Sequence, residues 1–161
     1  MTVREDEIVR DDGSLGTYGV VDKPDFALII PQDDTGFWVV EQYRYPVERR
    51  AWEFPQGSWA DETKGSQEDL AAAELRDETG LQAERMRHLG RLFSAYGFCS
   101  QGFDVFHATG LRSGQHARED SEHDMQHRHV SKSELDDMIR AGHIVDAATV
   151  AAVGLLTLVH T

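Results

Sequence analysis

The chain has 161 residues, 40% of them hydrophobic, and its 29 acidic and 16 basic side chains give a formal net charge of −13. This length predicts a single globular domain over residues 1–161, and the acidic balance argues against a broad surface for nucleic acid or an anionic membrane, since both are bound through clustered Lys and Arg. The single cysteine, Cys99, excludes an intramolecular disulfide, and the lack of an apolar leader or a membrane-length apolar stretch predicts a cytoplasmic protein.

The N-terminal 22 residues predict a β-hairpin. Residues 3–9 alternate weakly between apolar and polar side chains, residues 11–14 (Asp-Asp-Gly-Ser) form a turn signal, and residues 17–21 supply the second strand. The pair has little apolar surface, and a two-stranded hairpin is marginal alone. We therefore expect these strands to pack on the rest of the chain or on a second subunit.

Five further strands are predicted along the chain. Residues 26–31 are a continuous apolar run, which indicates a strand buried on both faces, and residues 36–43 form the next after a polar turn. Residues 86–93, 103–109 and 125–130 have the composition and alternation of strands. The first two are expected at the centre of a sheet.

The strongest helix signal lies in the middle of the sequence. Ser66 is a candidate N-cap, with Asp69 three residues later as the acid of a capping box, and strong helix formers follow. Gly80 supplies the left-handed stop that ends many helices. This pattern predicts a helix between Ser66 and Gly80.

Three carboxylates share one face of that helix. Glu74, Asp77 and Glu78 are spaced i, i+3 and i+4, so they fall within a single turn. Like charges at this spacing repel, and a hard divalent cation that accepts oxygen ligands is their natural partner, with Mg²⁺ as the first candidate. The other interpretation is an ordinary helix with a solvated acidic face.

Two helices are predicted at the end of the sequence. Ser131 caps the first, with Glu134 in the capping-box position, and Asp146 opens the second over residues 147–159. The apolar positions of the second helix are expected to pack on the sheet.

Residues 57–81 resemble the signature of the Nudix hydrolases, G-x(5)-E-x(7)-R-E-U-x-E-E-x-G-U, in which U is aliphatic. Residues 74–81 match the second half, with one Glu replaced by Asp. The signature arginine falls on Ala73 and the early glutamate on Gly65, because the loop is two residues longer here. Glu62, within that loop, is the alternative for the early glutamate.

Two upstream stretches resemble the ADP-ribose pyrophosphatase branch of this family: Q-Y-R-Y-P at residues 42–46 and W-E-F-P-Q-G at residues 52–57. The resemblance implies an α/β fold with a mixed β-sheet sandwiched between α-helices (α/β/α) and a short N-terminal β-hairpin. It also implies that Arg44 binds the diphosphate or the terminal ribose, with Glu53 beside it. The alternative for Arg44 is an ion pair with Glu41 or Glu53.

The reaction that the resemblance implies is metal-assisted hydrolysis of the pyrophosphate bond in a nucleoside diphosphate linked to another moiety. ADP-ribose, cleaved to AMP and ribose 5-phosphate, is the leading substrate. Magnesium, or manganese in its place, would be held by Glu74, Asp77 and Glu78 with the backbone carbonyl of Gln56. Glu74 and Glu78 therefore count as catalytic residues as well as metal ligands.

A second acidic cluster, at residues 118–124, lies where related enzymes carry a flexible loop with a catalytic glutamate. Glu122 is the predicted general base, with Glu119 and Asp120 as alternatives, because the register of a loop is not fixed by one sequence. The other interpretation of this cluster is a solvated run of charge.

The expected partners are a small-molecule nucleoside diphosphate substrate and a second copy of the chain, with no nucleic acid and no membrane. Tyr18 is the candidate for the aromatic face that binds adenine. Relatives in this branch often dimerise through their N-terminal strands, so the resemblance implies a homodimer formed by residues 1–22.

Three alternatives remain open. The same chemistry serves Nudix enzymes that cleave diadenosine polyphosphates, other nucleotide sugars or RNA 5′ ends, although the acidic surface disfavours RNA. Ala73 and Asp77 are also compatible with a catalytically silent module that binds nucleotides, and a plain acidic interaction protein leaves residues 53–57 without a purpose. His127 and His129 share one strand face, but no third soft ligand accompanies them, so no zinc site is predicted.

Overall fold

The computed structural model describes residues 1–59, 65–114 and 124–159. The strands in these ranges are β1 (Thr2–Val9), β2 (Leu15–Asp22), β3 (Phe26–Pro31), β4 (Gly36–Arg44), β5 (Arg49–Glu53), β6 (Gln56–Gly57), β7 (Leu81–Gln82), β8 (Arg85–Phe93), β9 (Gly102–Thr109), β10 (Arg112–Ser113) and β11 (Gln126–Ser131). The helices are α1 (Gln67–Thr79), α2 (Lys132–Arg140) and α3 (Ala147–Val159), with a short 3₁₀ turn at Tyr45–Val47. None of these helices has the length and apolar character needed to span a membrane.

Strand β3 is an inner strand of a four-stranded mixed sheet with the order β6-β3-β9-β8. It pairs in parallel with β9, while β6 with β3 and β8 with β9 pair antiparallel. A parallel pair needs a long crossover, which here contains α1 and two strands of a separate antiparallel sheet with the order β11-β4-β5. The predicted mixed sheet is confirmed.

Alternate side chains of β3 enter two apolar cores on opposite faces of the sheet. Leu28 and Ile30 pack in the core that α2 and α3 cover, whereas Ala27 and Ile29 pack in the core that α1 covers. Successive side chains of a strand point to opposite faces, so one continuous apolar run fills both cores. The expected α/β/α layering is therefore confirmed.

Helix α1 begins and ends as its sequence predicts. The Ser66 hydroxyl accepts a hydrogen bond from the Asp69 N–H at 3.1 Å, and the Asp69 carboxylate accepts one from the Ser66 N–H at 3.0 Å. Gly80 stops the helix with φ of 71°, a left-handed conformation that costs other residues more than glycine. These two ends fix which residues of α1 face the sheet.

Helix α2 departs from its prediction at one contact. The Ser131 hydroxyl accepts the N–H of Glu134 at 3.2 Å, as an N-cap does. The Glu134 carboxylate does not complete the predicted capping box; it accepts a hydrogen bond from Arg128 at 2.6 Å instead. A guanidinium on the neighbouring strand is a stronger donor than a backbone amide.

The N-terminal hairpin attaches to the rest of the chain along one edge. Strands β1 and β2 pair antiparallel over their full length. The N–H of Val21 donates to the carbonyl of Phe98 at 2.8 Å, and the N–H of Ser100 donates to the carbonyl of Val21 at 3.0 Å. Cys99, between these two, is buried. The hairpin is thus paired with the loop that follows β8.

Candidate active site

A cleft of about 730 Å³ opens where β4, β6 and the start of α3 meet. Arg44 at the end of β4, Gln56 and Gly57 of β6, and Asp146 just before α3 line it. The loop after β8 supplies further lining residues. The cleft therefore collects side chains from four separate parts of the chain.

Residues 53–57 lead into the cleft, which Gln56 and Gly57 line, and each of the five is held by its own contact. Two of these contacts come from α1, one from the first turn of α3 and one from Asp146 just before α3, so the segment is fixed between two helices. Glu53 pairs with Arg44, the Phe54 N–H donates to the Thr149 hydroxyl at 3.0 Å, and the Pro55 carbonyl accepts the Ile29 N–H at 2.9 Å. The Gln56 N–H donates to the Glu78 carboxylate at 3.1 Å, and the Gln56 side-chain amide donates to Asp146 at 3.1 Å. Gly57 lies against the Glu74 carboxylate.

Two of the three predicted metal-binding carboxylates meet this segment. Glu78 is only 1% exposed, and its Oε2 accepts the N–H of Gln56. The carboxylate of Glu74 lies so close to Gly57 that a Cβ at that position would overlap it. The absence of a side chain at Gly57 thus lets the Glu74 carboxylate lie against this segment, where Glu74, Glu78 and the backbone of Gln56 come together.

The third predicted ligand, Asp77, is not part of that group. Its Oδ1 accepts a hydrogen bond from Arg76 Nε at 2.8 Å, and its side chain lines a groove on another face of α1 with Glu68 and Ala73. Ala73 stands where the family signature has an arginine, and in this chain Arg76 is the residue that pairs with Asp77. The i, i+3 and i+4 spacing does not bring all three carboxylates to one site.

Arg44 and Glu53 form an ion pair at the edge of the cleft. Both guanidinium nitrogens that face Glu53 donate to its two oxygens, and Gln42 donates to Glu53 Oε1 at 2.9 Å. Glu53 is 2% exposed, and burial raises its pKa although Arg44 opposes this shift. Burial lowers the pKa of Arg44, but attraction to Glu53, Glu78 and Asp146 outweighs it and raises that pKa overall. The predicted pairing with Glu53 is present, and Arg44 still lines the cleft.

Asp146 is a cleft residue that the sequence indicated only as a helix start. Its Oδ2 accepts hydrogen bonds from the Thr149 N–H at 2.8 Å, the Thr149 hydroxyl at 2.7 Å and the Gln56 amide at 3.1 Å. Thr149 is fully buried. The signal that pointed to this residue, an acid followed three positions later by threonine, predicts the cap but not the contact with Gln56.

Tyr18, the predicted adenine-binding residue, lies on β2 and is 45% exposed. Its hydroxyl donates to the carbonyl of Gly97 at 2.5 Å, in the same loop that lines the cleft, but Tyr18 is not among the lining residues of the described chain. The cleft has other aromatic side chains: Phe26 and Phe103 stack with ring centroids 4.8 Å apart, and the exposed Tyr96 lies at its rim. Sequence reasoning had not singled these out.

Two more basic side chains line the cleft. Arg91 donates to Asp25 at 2.5 Å and to Asp104 at 2.9 Å, so its charge is largely matched. Lys23 is exposed and forms no ion pair within the part of the chain that the structure describes. An acidic protein thus places Lys23, Arg44 and Arg91 around one cleft, which favours an anionic ligand.

All four ligands expected from the resemblance lie within the described residues, but of these Glu74, Glu78 and the Gln56 backbone come together and Asp77 stands apart. Across residues 1–59, 65–114 and 124–159, no three His, Cys, Asp or Glu side chains lie close enough to hold a metal ion. Two carboxylates and a backbone carbonyl still fit Mg²⁺, which keeps several waters and is commonly held by one or two carboxylates plus substrate phosphates. The crowding of Glu74 against Gly57 places that donor set at the cleft.

Four residues named from the sequence lie outside the described ranges. These are Glu62, Glu119, Asp120 and Glu122. The roles suggested for them, early signature glutamate and general base, therefore stay predictions.

The two strand histidines lie away from the cleft, on the face of β11 that meets β4. Both rings are within 6 Å of the Trp38 ring, with centroids 5.8 Å away for His127 and 5.5 Å away for His129. His129 Nε2 is 3.1 Å from Asp33 Oδ1. His129 is thus a hydrogen-bonded strand residue, as predicted, and His127 packs its ring against Trp38.

Comparison with known proteins finds relatives along nearly the whole chain. No family model matches the chain. An ADP-ribose pyrophosphatase of Mycobacterium tuberculosis is 34% identical over 154 residues, which cover 94% of this chain and 73% of that protein. An ADP-ribose pyrophosphatase of Bacillus subtilis is 25% identical over 156 residues, covering 95% of this chain and 83% of that protein.

The fold also has a close structural neighbour. The crystal structure of an ADP compounds hydrolase matches with a TM-score of 0.81 at 18% sequence identity, covering 97% of this chain and 91% of that one. At this identity the likeness supports the fold, while the 34% identical relative supports the family. The chain belongs to the Nudix hydrolases, in their ADP-ribose pyrophosphatase-like branch.

Proposed function

We propose that this protein hydrolyses the pyrophosphate bond of a nucleoside diphosphate linked to another moiety, with ADP-ribose as the leading substrate and AMP and ribose 5-phosphate as products. The observation that carries the proposal is the meeting of Glu74 and Glu78 with the Gln56–Gly57 backbone at a cleft lined by Arg44. Two relatives that align along nearly the whole chain are named ADP-ribose pyrophosphatases, which favours this substrate.

Magnesium, or manganese, would be held by Glu74, Glu78 and the carbonyl of Gln56. When bound there, it supplies positive charge to the diphosphate and lowers the pKa of a water. Asp77 is bonded to Arg76 and lines a groove on another face of α1, so we treat Glu74 and Glu78 as the principal ligands. The buried Glu78 is oriented by the Gln56 N–H, which fixes the carboxylate before any cation arrives.

The remaining chemistry falls to groups around the cleft. Arg44 donates charge-assisted hydrogen bonds to diphosphate oxygens, and Glu53 holds the guanidinium in place from the buried side. A base must accept the proton of the attacking water, and Glu122 is our proposal for it, with Glu119 and Asp120 as alternatives. The bond that breaks joins phosphorus to the bridging oxygen, which leaves with the other phosphate.

The test is product release from a panel of purified substrates with Mg²⁺. ADP-ribose, ADP-glucose, NADH, diadenosine polyphosphates and capped RNA would each be incubated with the protein, and nucleoside monophosphate would be quantified by chromatography. Rapid conversion of ADP-ribose to AMP and ribose 5-phosphate is expected. Preference for diadenosine polyphosphates would move the protein to that alternative, and tight binding without turnover of any compound would indicate the silent nucleotide-binding module.

We also propose that the chain forms a homodimer through its N-terminal hairpin. Val3, Val9 and Leu15 of this hairpin are 69%, 72% and 75% exposed, an apolar surface that a second copy would cover. Light scattering should report a dimer for the wild type and a monomer for a variant in which all three residues are replaced by Glu. A wild-type monomer across the micromolar range would contradict this proposal.

A further inference from the structure

Asp146 has one carboxylate oxygen that is fully engaged by the fold and one that is not. All three hydrogen bonds given above, two from Thr149 and one from Gln56, converge on Oδ2. Oδ1 accepts no hydrogen bond within the described residues, and it is not among the buried polar atoms that lack a partner. Since Asp146 lines the cleft, Oδ1 is an acceptor open to a ligand there.

The engaged oxygen keeps this side chain from turning. Thr149 is fully buried, and its hydroxyl also accepts the Phe54 N–H at 3.0 Å, so the partner of Asp146 is itself fixed by the core. The Gln56 amide holds Oδ2 from the side of β6. A carboxylate locked in this way needs little ordering when a ligand binds, which makes it a pre-organised acceptor.

The chemistry of the ligand group follows from the charge of Asp146. A free carboxylate oxygen can accept a hydrogen bond but donate none, so it repels phosphate oxygens and selects donors. Arg44, which lines the same cleft as Asp146, supplies the donors that a diphosphate needs. Next to a diphosphate, the donors that a nucleoside diphosphate compound offers are the hydroxyl groups of its sugars.

We propose that Asp146 Oδ1 accepts a hydrogen bond from a sugar hydroxyl of the substrate and thereby selects hydroxyl-bearing nucleoside diphosphate compounds. This inference rests on the proposed hydrolase function. Asp146 is then a specificity-determining residue that also positions Gln56, the residue whose carbonyl we propose as a metal ligand. The sugar is either the nucleoside ribose or the sugar on the far phosphate, since both carry hydroxyls beside the diphosphate.

Asp146→Asn is the variant that separates these roles. Asparagine caps helices as well as aspartate does, and its amide oxygen can take over the contacts with Thr149 and Gln56. Its amide nitrogen would then replace Oδ1, so a neutral donor stands where the wild type has a charged acceptor, and the charge-assisted hydrogen bond from the sugar hydroxyl is lost. Asp146→Ser, which also caps but offers no free carboxylate oxygen, is the second variant in case the first is poorly folded. Thermal denaturation of both is the check on the fold.

Three substrates show which sugar carries the recognised hydroxyl. The first is ADP-ribose, and the second is the methyl ester of ADP, which lacks the far sugar. The third is an ADP-ribose whose adenosine ribose is 2′,3′-dideoxy. Asp146→Asn should lower kcat/KM for ADP-ribose by about 10- to 100-fold, the range for a lost hydrogen bond to a charged group. The loss should shrink to less than about twofold with the one substrate that lacks the recognised hydroxyls. That substrate names the sugar, and either identity supports the proposal.

Thr149→Val removes the hydroxyl that holds Asp146 without altering the charge of Oδ1, so it should destabilise the protein and lower kcat/KM most for the same substrates as Asp146→Asn. Thr157→Val, at an exposed position of the same helix, is the matched control and should leave kcat/KM for all three substrates within about twofold of wild type. Equal losses of kcat/KM for all three substrates in both Asp146→Asn and Asp146→Ser, or no loss in either variant, would overturn the hydroxyl assignment. The proposed function would still hold in that case if the wild type hydrolyses ADP-ribose. A wild-type protein that cleaves none of the three would overturn both.

Discussion

Helix α1 presents acidic side chains on two faces that differ in almost every other respect. On the cleft face, Glu78 is buried and bonded to the Gln56 backbone, and Glu74 is pressed against Gly57. On the groove face, Asp77 is paired with the exposed guanidinium of Arg76. Acidic residues within one helical turn are thus held against the backbone of β6 on one face and in a partly exposed ion pair on the other.

This difference shows why the density of acidic residues is a poor guide to a metal site. A buried carboxylate loses hydration, and the structure must offset that cost with hydrogen bonds or a cation. A solvated carboxylate in an exposed ion pair contributes about 0–1 kcal/mol to stability and can be replaced at little cost. The comparison therefore predicts large functional effects from the cleft face and small ones from the groove face.

The largest effect is expected from Glu78→Gln. Neutralising this carboxylate should lower kcat/KM for ADP-ribose more than about 100-fold, because loss of a direct ligand should exceed the 10- to 100-fold cost of losing a residue that supports one. Asp77→Asn, the matched control on the other face, should change kcat/KM less than about fivefold. Steady-state rates of AMP release measure both. Equal losses in the two variants would erase the distinction between the faces.

Gly57→Ala tests the cleft face without touching a charge. The added methyl group would overlap the Glu74 carboxylate, which sits at the end of a flexible side chain and can swing away. We expect a loss in kcat/KM of about 10- to 100-fold with a change in unfolding free energy below about 1 kcal/mol. Urea denaturation and steady-state kinetics measure the two quantities. Gly97→Ala is the control, since nothing lies within 4 Å of a Cβ there.

Thr149→Val tests whether the segment at residues 53–57 is held from α3. Valine keeps the shape but leaves the buried N–H of Phe54 without its acceptor, so the unfolding free energy should fall by about 1–3 kcal/mol. Thr157→Val, at an exposed position of the same helix, should cost much less. A stability loss of the same size in both variants would show that the contact with Phe54 contributes nothing special.

The pH dependence of stability should separate a buried carboxyl from a solvated one. Burial raises the pKa of Glu53, so its contribution to stability is present below its unfolded pKa and is lost as pH rises through the folded one. Burial alone would raise the pKa of Asp33, but hydrogen bonds from Thr35 lower this pKa to about 2. The contribution of Asp33 to stability is therefore present above the unfolded pKa of 3.8 and is lost as pH falls toward 2.

The unfolding free energies of Glu53→Gln and Asp33→Asn, measured from pH 2 to pH 7, should therefore deviate from wild type with opposite pH trends. The Asp33 contribution should stay below about 1 kcal/mol, because its side chain is 37% exposed and solvent screens it. If the difference from wild type changed with pH in the same direction for both variants, the proposed contrast between the buried and the solvated carboxyl group would be wrong.

Local features of the sequence were sufficient to predict much of the fold. The apolar run at residues 26–31 predicts a strand buried on both faces, and Ser66, Asp69 and Gly80 predict both ends of α1, because each of these signals depends on neighbours within a few positions. The meeting of Glu74 and Glu78 with the glycine turn was expected from the family signature.

Contacts between distant parts of the chain limited prediction of the site. The bond between Gln56 and Asp146 spans 90 positions, and no periodic pattern reports it. Asp77 was grouped with its neighbours because helical spacing places all three carboxylates on nearly the same face, but only the packing of α1 on β6 decides which of them are enclosed. Arg76 instead pairs with Asp77. The presence of Ala73 where the signature has an arginine did not predict this pairing.

The most direct test of the central claim is the affinity of the free protein for Mn²⁺, a spectroscopic stand-in for Mg²⁺, measured by electron paramagnetic resonance with wild type, Glu74→Gln, Glu78→Gln and Asp77→Asn. The account predicts that each cleft-face variant binds Mn²⁺ at least about 10-fold more weakly, while Asp77→Asn stays within about fivefold of wild type. Undiminished binding in Glu78→Gln, or a loss in Asp77→Asn as large as in Glu74→Gln, would contradict it.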